Sequence, residues 1–281
     1  MIVSGSTSQQ LAAALAAELG EDLARVEYER FPDGEQMVRV PPVEGRAVVV
    51  CSTTTDAAHV ELLQLQDAVR EAGAEEVVTV IPYMGYARQD EAFEPGQPVS
   101  ARAMARAIST VTDHVVTVNA HETGVCDFFD VPTTNVDAAP RLADPLPDDL
   151  HDPVFLSPDA SAVSLAESVR AEYGPGEVDY FEKTRHSGTD VEIEPSETDV
   201  AGRDVVVVDD IIATGSTMSE AIAHLDDPAR VFVTCVHPLL ARNARLKLAE
   251  AGVEDVYGTD TIERAVSDVS AAQPVARVLE E

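Results

Sequence analysis

The stretch VVVVDDIIATGST, residues 205–217, decides the fold of this chain. Its four valines predict a buried strand, and two adjacent carboxylates, Asp209 and Asp210, stand where that strand ends. After three further residues, the run Thr214-Gly215-Ser216-Thr217 opens a predicted helix. Gly215 permits a tight turn there, and backbone N–H groups, the three hydroxyls and the helix N-terminus together favour a bound phosphate group.

The acid pair indicates which phosphate compound fits. A phosphate pocket alone would avoid carboxylates, because they repel the ligand. Asp209 and Asp210 instead suit two vicinal hydroxyls, which carboxylates accept in pairs. A phosphate with a diol a few atoms away matches ribose 5-phosphate. The alternative is a strand end with an N-capping Thr and two solvated acids.

Outside this stretch, short β-branched runs alternate with helical periodicity from end to end. Such alternation predicts an α/β fold with mainly parallel strands covered on both faces by helices. The predicted strands are Ala47–Cys51, Glu76–Pro82, His114–Asn119, Val154–Ser157, Asp204–Val208 and Arg230–His237. The predicted helices are Ala57–Ala72, Ser100–Ser109, Ala160–Glu172, Ser216–Leu225 and Ala241–Ala251.

The chain also shows a suggestion of internal duplication. Residues 48–55, VVVCSTTT, repeat the order of buried strand, hydroxyl-rich loop and helix, which predicts an anion-binding loop in each half. The segment Pro140–Pro153, rich in Pro and Asp, is the best candidate boundary. We therefore expect one domain over residues 1–140 and a second over 141–281, with the last residues packing back on the first.

Composition excludes several classes of partner. The 281 residues include 51 acidic and 19 basic side chains, for a formal net charge of −32, which would repel nucleic acids and anionic membranes. The acids are spread along the chain, and Lys183 and Lys247 are its two lysines. This pattern favours the surface of a salt-adapted enzyme over an ordinary acidic protein or a disordered one.

The cysteines and the hydropathy predict a cytoplasmic protein. The three cysteines are far apart, so neither a disulfide framework nor a zinc site is indicated. The N-terminus lacks the basic residues of a signal peptide, and no run approaches the roughly 18 apolar residues that span a bilayer. We expect no membrane partner.

Residues 205–217 resemble the phosphoribosyl diphosphate (PRPP) motif of the type I phosphoribosyltransferase fold. Further segments resemble the PRPP synthetase family in particular, and the resemblance covers nearly the whole chain. These segments are RFPDGE at 30–35, PYMGYARQD at 82–90, VNAH at 118–121, SPD at 157–159 and EKTRHSGT at 182–189. The resemblance implies two tandem type I phosphoribosyltransferase-like domains, the first for ATP and the second for ribose 5-phosphate. It also implies transfer of a diphosphoryl group from ATP to the sugar.

The residue types in some of these segments also indicate a function on chemical grounds. FPDGE places an aromatic ring and two acids on a Pro-Gly turn, able to stack a purine and accept its amine hydrogens, although read alone it is simply a good turn. The guanidinium of Arg88 is a planar fork suited to phosphate. A lysine in the Gly/Ser/Thr-rich stretch 182–189 suggests a compact charge for a moving phosphoryl group, although an exposed hairpin with incidental charges would look similar.

The family resemblance assigns a role to each candidate residue. For ATP they are Phe31, Asp33, Glu35, Arg88 and Gln89. For ribose 5-phosphate they are Asp209, Asp210, Thr214, Gly215, Ser216 and Thr217. Mg²⁺ is expected at His121 and Asp159, and Lys183 and Arg185 are expected to stabilise the transition state.

Two other functions remain open at this point. A phosphoribosyltransferase that consumes PRPP would explain residues 205–217 but not 82–90 or 182–189. A catalytically silent regulatory subunit would be expected to lose Lys183 or His121, and both are present. The family also implies a homo-oligomer, because its ATP segments often complete a site shared between subunits.

Overall fold

The computed structural model describes residues 1–185, 191–194 and 198–280, with the backbone alone for 182–185 and 191–194. These residues form two compact units. The first unit comprises residues 1–137, 260–263 and 270–281, and the second comprises 138–259 and 264–269. The chain therefore re-enters the first unit near its C-terminus.

The strands of the first unit are Ile2–Ser4 (β1), Glu27–Arg30 (β2), Gln36–Arg39 (β3), Arg46–Val50 (β4), Glu76–Ile81 (β5), His114–Val118 (β6) and Thr133–Val136 (β7). Five of them form a parallel sheet with the order β1-β4-β5-β6-β7. The Val-rich strands of this sheet are buried, which is why they read as continuous apolar runs. A separate antiparallel hairpin is formed by β2 and β3. The helices are Gln9–Leu19 (α1), Asp56–Glu71 (α2), Ser100–Ile108 (α3) and, from the C-terminus, Ala272–Leu279 (α7).

Helix α2 shows how sequence produces this packing. Thr55 precedes it, and its Oγ1 accepts a hydrogen bond from the Ala58 N–H at 3.1 Å, which satisfies one of the donors left over at a helix start. Leu62, Leu65 and Val69 recur at helical spacing and are fully buried in the core of the unit. Helix α2 also contacts β3, so it supports the β2–β3 hairpin.

The strands of the second unit are Val154–Ser157 (β8), Glu177–Tyr180 (β9), Glu182–Arg185 (β10), Val191–Glu194 (β11), Asp204–Ile211 (β12), Arg230–His237 (β13), Asp255–Thr259 (β14) and Ser267–Val269 (β15). Six of them form a parallel sheet with the order β15-β14-β13-β12-β8-β9. The antiparallel pair β10 and β11 forms a separate sheet. The helices are Val163–Tyr173 (α4), Ser216–Ile222 (α5) and Ala244–Glu250 (α6).

The α/β architecture with parallel sheets flanked by helices is confirmed, and the differences from expectation are at element ends. β12 extends past Val208 to Ile211, because Asp209 and Ile211 still pair with β13. Helix α6 begins at Ala244 rather than Ala241, since Arg242 has a positive φ of 57° that a helix does not accommodate. Among the helices that the structure describes, none is long and apolar enough to cross a membrane.

Candidate functional site

The acid pair lies at the carboxyl end of the central strand of the second sheet. β12 has β13 on one side and β8 on the other, all three parallel, so their carboxyl ends meet at one edge. Asp209 and Asp210 are half-buried there, and the Asp210 N–H donates to Asp209 Oδ1 at 3.0 Å. This edge is where ligands bind in open α/β sheets.

Electrostatics at this edge favour a ligand that brings hydrogen-bond donors or positive charge. Burial raises the pKa of Asp209 well above its ordinary value, and the neighbouring carboxylates of Asp210 and Asp159 raise it further. Ionised Asp209 is therefore disfavoured in the free protein. Sugar hydroxyls donating to these carboxylates, or a nearby cation, would offset this repulsion.

The hydroxyl-rich loop joins β12 to α5. Gly215 has a φ of 74°, a left-handed conformation that glycine adopts without strain. The Thr214 side chain is exposed, while Ser216 and Thr217 are half-buried, so all three reach the surface at this loop. Thr214 Oγ1 lies 3.3 Å from Ser216 Oγ. The loop thus presents hydroxyls beside the acid pair, as the sequence predicts.

A neighbouring segment holds this loop in place. The Ile212 N–H donates to the His237 carbonyl at 3.3 Å, and the Leu240 N–H returns a bond to the Ile212 carbonyl at 2.9 Å. The Ala241 N–H donates to the Ala213 carbonyl at 2.8 Å. These backbone bonds tie the loop to the segment that follows β13 and define its conformation.

Asp159 lies near the same edge. It follows β8, and its Oδ1 accepts a hydrogen bond from the Ser161 N–H at 3.0 Å at the start of a short 3-10 helix. Because β8 pairs in parallel with β12, the residues that follow β8 belong to the same edge as the acid pair, and the charge of Asp159 helps to raise the pKa of Asp209. The structure therefore brings together Asp159, the acid pair and the hydroxyl loop.

Lys183 and Arg185 lie on β10, opposite Ile193 and Val191 of β11. Their side chains are outside what the structure describes, as are residues 186–190 between the two strands. Their role stays a prediction.

In the first unit, three candidates follow neighbouring parallel strands. Arg88 and Gln89 come after β5, and His121 comes after β6, so all three belong to the carboxyl edge of that sheet. Arg88 and His121 are exposed. One end of the Gln89 side-chain amide is already hydrogen-bonded, since its Oε1 accepts from Ser100 Oγ at 2.6 Å. The amide nitrogen remains as a donor for a ligand.

Phe31, Asp33 and Glu35 lie instead on the turn of the β2–β3 hairpin, which belongs to a different sheet. All three side chains are exposed. The Phe31 N–H donates to the Glu35 carbonyl at 2.8 Å, and the Glu35 N–H donates to Asp33 Oδ1 at 3.1 Å. Asp33 therefore stabilises the turn, and the ring of Phe31 remains available for stacking.

The loop of the first half, residues 48–55, is also predicted to bind an anion, and the structure buries two of its hydroxyls. Ser52 and Thr53, after β4, are buried, at 0% and 1% exposure. Thr53 Oγ1 accepts from the Gly85 N–H at 2.9 Å, and Ser52 Oγ donates to the Thr261 carbonyl. The hydroxyls of Ser52 and Thr53 are therefore engaged in internal bonds, while Thr54 is half-buried and Thr55 is exposed, so binding of an anion at this loop stays a prediction.

One residue at the second loop escaped the sequence analysis. Lys247 of α6 donates from its Nζ to Ser216 Oγ at 2.6 Å. The sequence feature that could have identified Lys247 is the scarcity of lysine. The chain has two lysines, Lys183 and Lys247, and Lys183 falls in one of the family motifs.

Comparison with known proteins agrees with this arrangement. Residues 1–111 match the family model of the N-terminal domain of ribose phosphate pyrophosphokinase, and residues 136–273 match that of the phosphoribosyl transferase domain. The chain is 70% identical to a ribose-phosphate pyrophosphokinase of Halobacterium salinarum, over 99% of this chain and 100% of that protein. It is 47% identical to one of Methanopyrus kandleri, over 100% of this chain and 98% of that protein.

A crystal structure of phosphoribosylpyrophosphate synthetase from Mycobacterium smegmatis is similar throughout. The TM-score is 0.83 at 26% identity, covering 100% of this chain and 97% of that one. Sequence, domain content and fold thus point to one family along the full length. The chain belongs to the ribose-phosphate pyrophosphokinase family, the PRPP synthetases.

Proposed function

We propose that the protein is a ribose-phosphate diphosphokinase, which transfers the β,γ-diphosphoryl group of ATP to the 1-hydroxyl of ribose 5-phosphate. The products are PRPP and AMP. The observation that carries this proposal is the edge of the second sheet, where Asp209 and Asp210 stand beside a hydroxyl loop in a chain related end to end to ribose-phosphate pyrophosphokinases.

Ribose 5-phosphate binds at this edge in our proposal. Its phosphate accepts hydrogen bonds from the loop Thr214-Gly215-Ser216-Thr217, where three hydroxyls and the backbone are held in position. Its 2- and 3-hydroxyls donate to Asp209 and Asp210. The raised pKa of Asp209 supports this assignment, because hydroxyl donors stabilise the ionised carboxylate that the free protein disfavours.

ATP binds to the first unit. Arg88, exposed after β5, pairs with phosphate oxygens, and the amide nitrogen of Gln89 donates to the adenine or the ribose. Phe31 stacks on the purine, while Asp33 and Glu35 accept its amine hydrogens. The hydrogen bonds within the hairpin turn support this role, since they fix the backbone that carries the Phe31 ring.

Magnesium fits the donors that the chain offers. No group of three or more metal-binding side chains is preassembled among the described residues. Mg²⁺ characteristically takes one or two protein ligands and completes its shell with water and substrate phosphate oxygens. His121 would hold the ion that accompanies ATP, and Asp159 the ion that accompanies the sugar; the bound ion would neutralise phosphate charge.

The reaction needs alignment and charge neutralisation more than covalent catalysis. The 1-hydroxyl oxygen attacks the β-phosphorus as its proton is released, the new O–P bond forms, and the bond from the β-phosphorus to the departing AMP oxygen breaks. Lys183 and Arg185 neutralise the charge that develops on the β-phosphoryl group. No covalent enzyme intermediate is required.

A phosphorus NMR assay tests the reaction. Purified protein at high salt is given ATP, ribose 5-phosphate and Mg²⁺, and AMP and PRPP are followed together. Lys183→Ala should abolish both products, whereas Arg245→Ala, which removes one positive charge from the exposed side of α6, should leave them unchanged. A folded wild-type protein that forms no AMP would refute the proposal, and PRPP with free purines and pyrimidines would then test for a phosphoribosyltransferase.

The homo-oligomer and the cytoplasmic location stay predictions, the latter supported by three free cysteines.

A further inference from the structure

Helix α6 packs directly on the hydroxyl loop of the second unit. A Cβ placed on Gly215 would lie 3.1 Å from the Ala244 carbonyl oxygen, so the loop and the start of α6 are in close contact. One turn further along, half-buried Lys247 reaches back to the loop, and its Nζ donates to Ser216 Oγ at 2.6 Å.

This contact dictates how Ser216 can bond. An ammonium group has three donors and no acceptor, so Ser216 Oγ must be the acceptor in its bond with Lys247. The hydroxyl proton of Ser216 then has to point elsewhere: to Thr214 Oγ1 at 3.3 Å, to solvent or to a ligand. A phosphate oxygen is a stronger acceptor than a threonine hydroxyl, so a bound phosphate would take this proton.

The choice of partner for Lys247 is also informative. In a chain with 51 acidic and 19 basic side chains, a surface lysine has many carboxylates to pair with. Among the residues that the structure describes, Lys247 forms no such ion pair and donates instead to a neutral hydroxyl at this loop. A cation in this position offsets the repulsion that the acid pair of β12 exerts on an incoming phosphate.

We propose that Lys247 is a further binding residue for the sugar substrate: it supplies the positive charge for the 5-phosphate and orients the Ser216 hydroxyl toward it. Lys247 thereby helps the enzyme to select phosphorylated ribose over free ribose. The proposal rests on the proposed function, because it assigns this loop to the phosphate of ribose 5-phosphate.

The test compares two variants that each remove one positive charge from α6. Lys247→Met removes the contact with Ser216, and Arg245→Met, on the exposed side, is the matched control. Lys247→Met is expected to raise KM for ribose 5-phosphate about 10-fold to 100-fold, the range for loss of a charge-assisted hydrogen bond. The KM for ATP and kcat at saturating ribose 5-phosphate should stay close to wild type, and so should every parameter of Arg245→Met.

A second measurement needs no turnover. Ribose 5-phosphate alone should raise the melting temperature of wild-type protein and of Arg245→Met, with a much smaller rise for Lys247→Met; free ribose should raise none of them. Lys247→Arg, which retains the charge, should fall between wild type and Lys247→Met. Melting without ligand, at the same salt, verifies that each variant is folded.

The outcomes separate this inference from the proposed function. If wild type forms PRPP but Lys247→Met binds ribose 5-phosphate as well as Arg245→Met does, the inference is wrong and the function stands. If Lys247→Arg is as weak as Lys247→Met, the charge is not the cause and the inference is also wrong. If wild type forms no PRPP yet shows the Lys247-dependent melting shift, the reaction is refuted and the phosphate site remains.

Discussion

Replacement of Gly215 by Ala tests whether the hydroxyl loop must adopt its observed conformation for the sugar to bind. The added Cβ encounters two separate obstacles. The φ of Gly215 is 74°, in the left-handed region, and the Cβ would lie 3.1 Å from the Ala244 carbonyl oxygen and 3.3 Å from the Ala244 Cα. Since both neighbouring atoms are backbone, they cannot move aside as a flexible side chain would.

The cost of each obstacle can be estimated separately. A non-glycine residue in the left-handed region costs about 1–2 kcal/mol. Forcing extra volume into a packed contact costs at least about 1 kcal/mol more. We therefore expect Gly215→Ala to lower the free energy of unfolding by at least about 2–3 kcal/mol, the sum of the two.

Gly202 offers a matched control in the same unit. Its φ is 69°, nearly that of Gly215, but a Cβ there would meet no described atom within 4 Å. Gly202→Ala should therefore carry the conformational cost alone, about 1–2 kcal/mol. The difference between the two variants measures the contact with Ala244.

Urea unfolding at fixed high salt and steady-state kinetics provide the two readouts. Gly215→Ala should raise KM for ribose 5-phosphate, because the loop and α6 must separate, while Gly202→Ala should leave that KM unchanged. Equal losses of stability in the two variants, or an unchanged KM for ribose 5-phosphate in Gly215→Ala, would refute the argument that the close contact with α6 determines the conformation of the hydroxyl loop.

Three further predictions concern charge and burial. Arg230→Gln should lower the free energy of unfolding by about 3 kcal/mol, because it removes the ionic partner, 2.6 Å away, of the buried Asp204 carboxylate. Burial alone would raise the pKa of Asp204, but hydrogen bonds from Arg230 and from a backbone N–H lower it below its ordinary value. Acid unfolding curves of wild type should therefore show this stabilisation being lost as pH falls below about 4. An Arg230→Gln protein as stable as wild type at pH 7 would contradict the predicted role of the ion pair. Asp209→Asn should raise the melting temperature of the free protein yet prevent ribose 5-phosphate binding in calorimetry. Burial and neighbouring carboxylates raise the pKa of Asp209, so its ionisation destabilises the fold as pH rises above about 4. A lower melting temperature would show instead that the Asp209 carboxylate is needed for folding. Burial raises the pKa of Cys51 to about 12 and also raises the pKa of buried Cys235. A thiol reagent at neutral pH should therefore label neither cysteine before unfolding and both after it. Rapid labelling of the two cysteines in the native protein would contradict their burial.

The strands could be predicted closely because their signal is local. Val154–Ser157 and Arg230–His237 were predicted with the bounds that the structure has, since each is an apolar run that the sheet buries on both faces. Element ends were less predictable. Helix α6 starts three residues later than predicted, because Arg242 has a positive φ. Arg242 follows the residues whose backbone hydrogen bonds hold the hydroxyl loop, and those bonds join residues that are distant in sequence.

The candidate site was predictable to the extent that its residues are neighbours in the chain. Asp209, Asp210 and the loop at 214–217 follow one strand, so their proximity comes with the strand itself. Asp159 joins them because β8 pairs with β12, which the sequence alone does not reveal. Lys247 was missed for the same reason, as its contact with Ser216 spans 31 residues.

By itself, the sequence determined the α/β class, the family and the acid pair followed by a hydroxyl loop. Each of these depends on short runs of consecutive residues, whose chemical character can be identified without knowing their tertiary contacts. Only the tertiary structure decided which hydroxyls of the two similar loops lie at the surface. Residues 48–55 and 205–217 share the same plan, yet Ser52 and Thr53 are buried beneath distant backbone, whereas Thr214 is exposed. A hydroxyl binds a ligand only if no closer partner satisfies it, and that depends on which remote segments the fold packs against it.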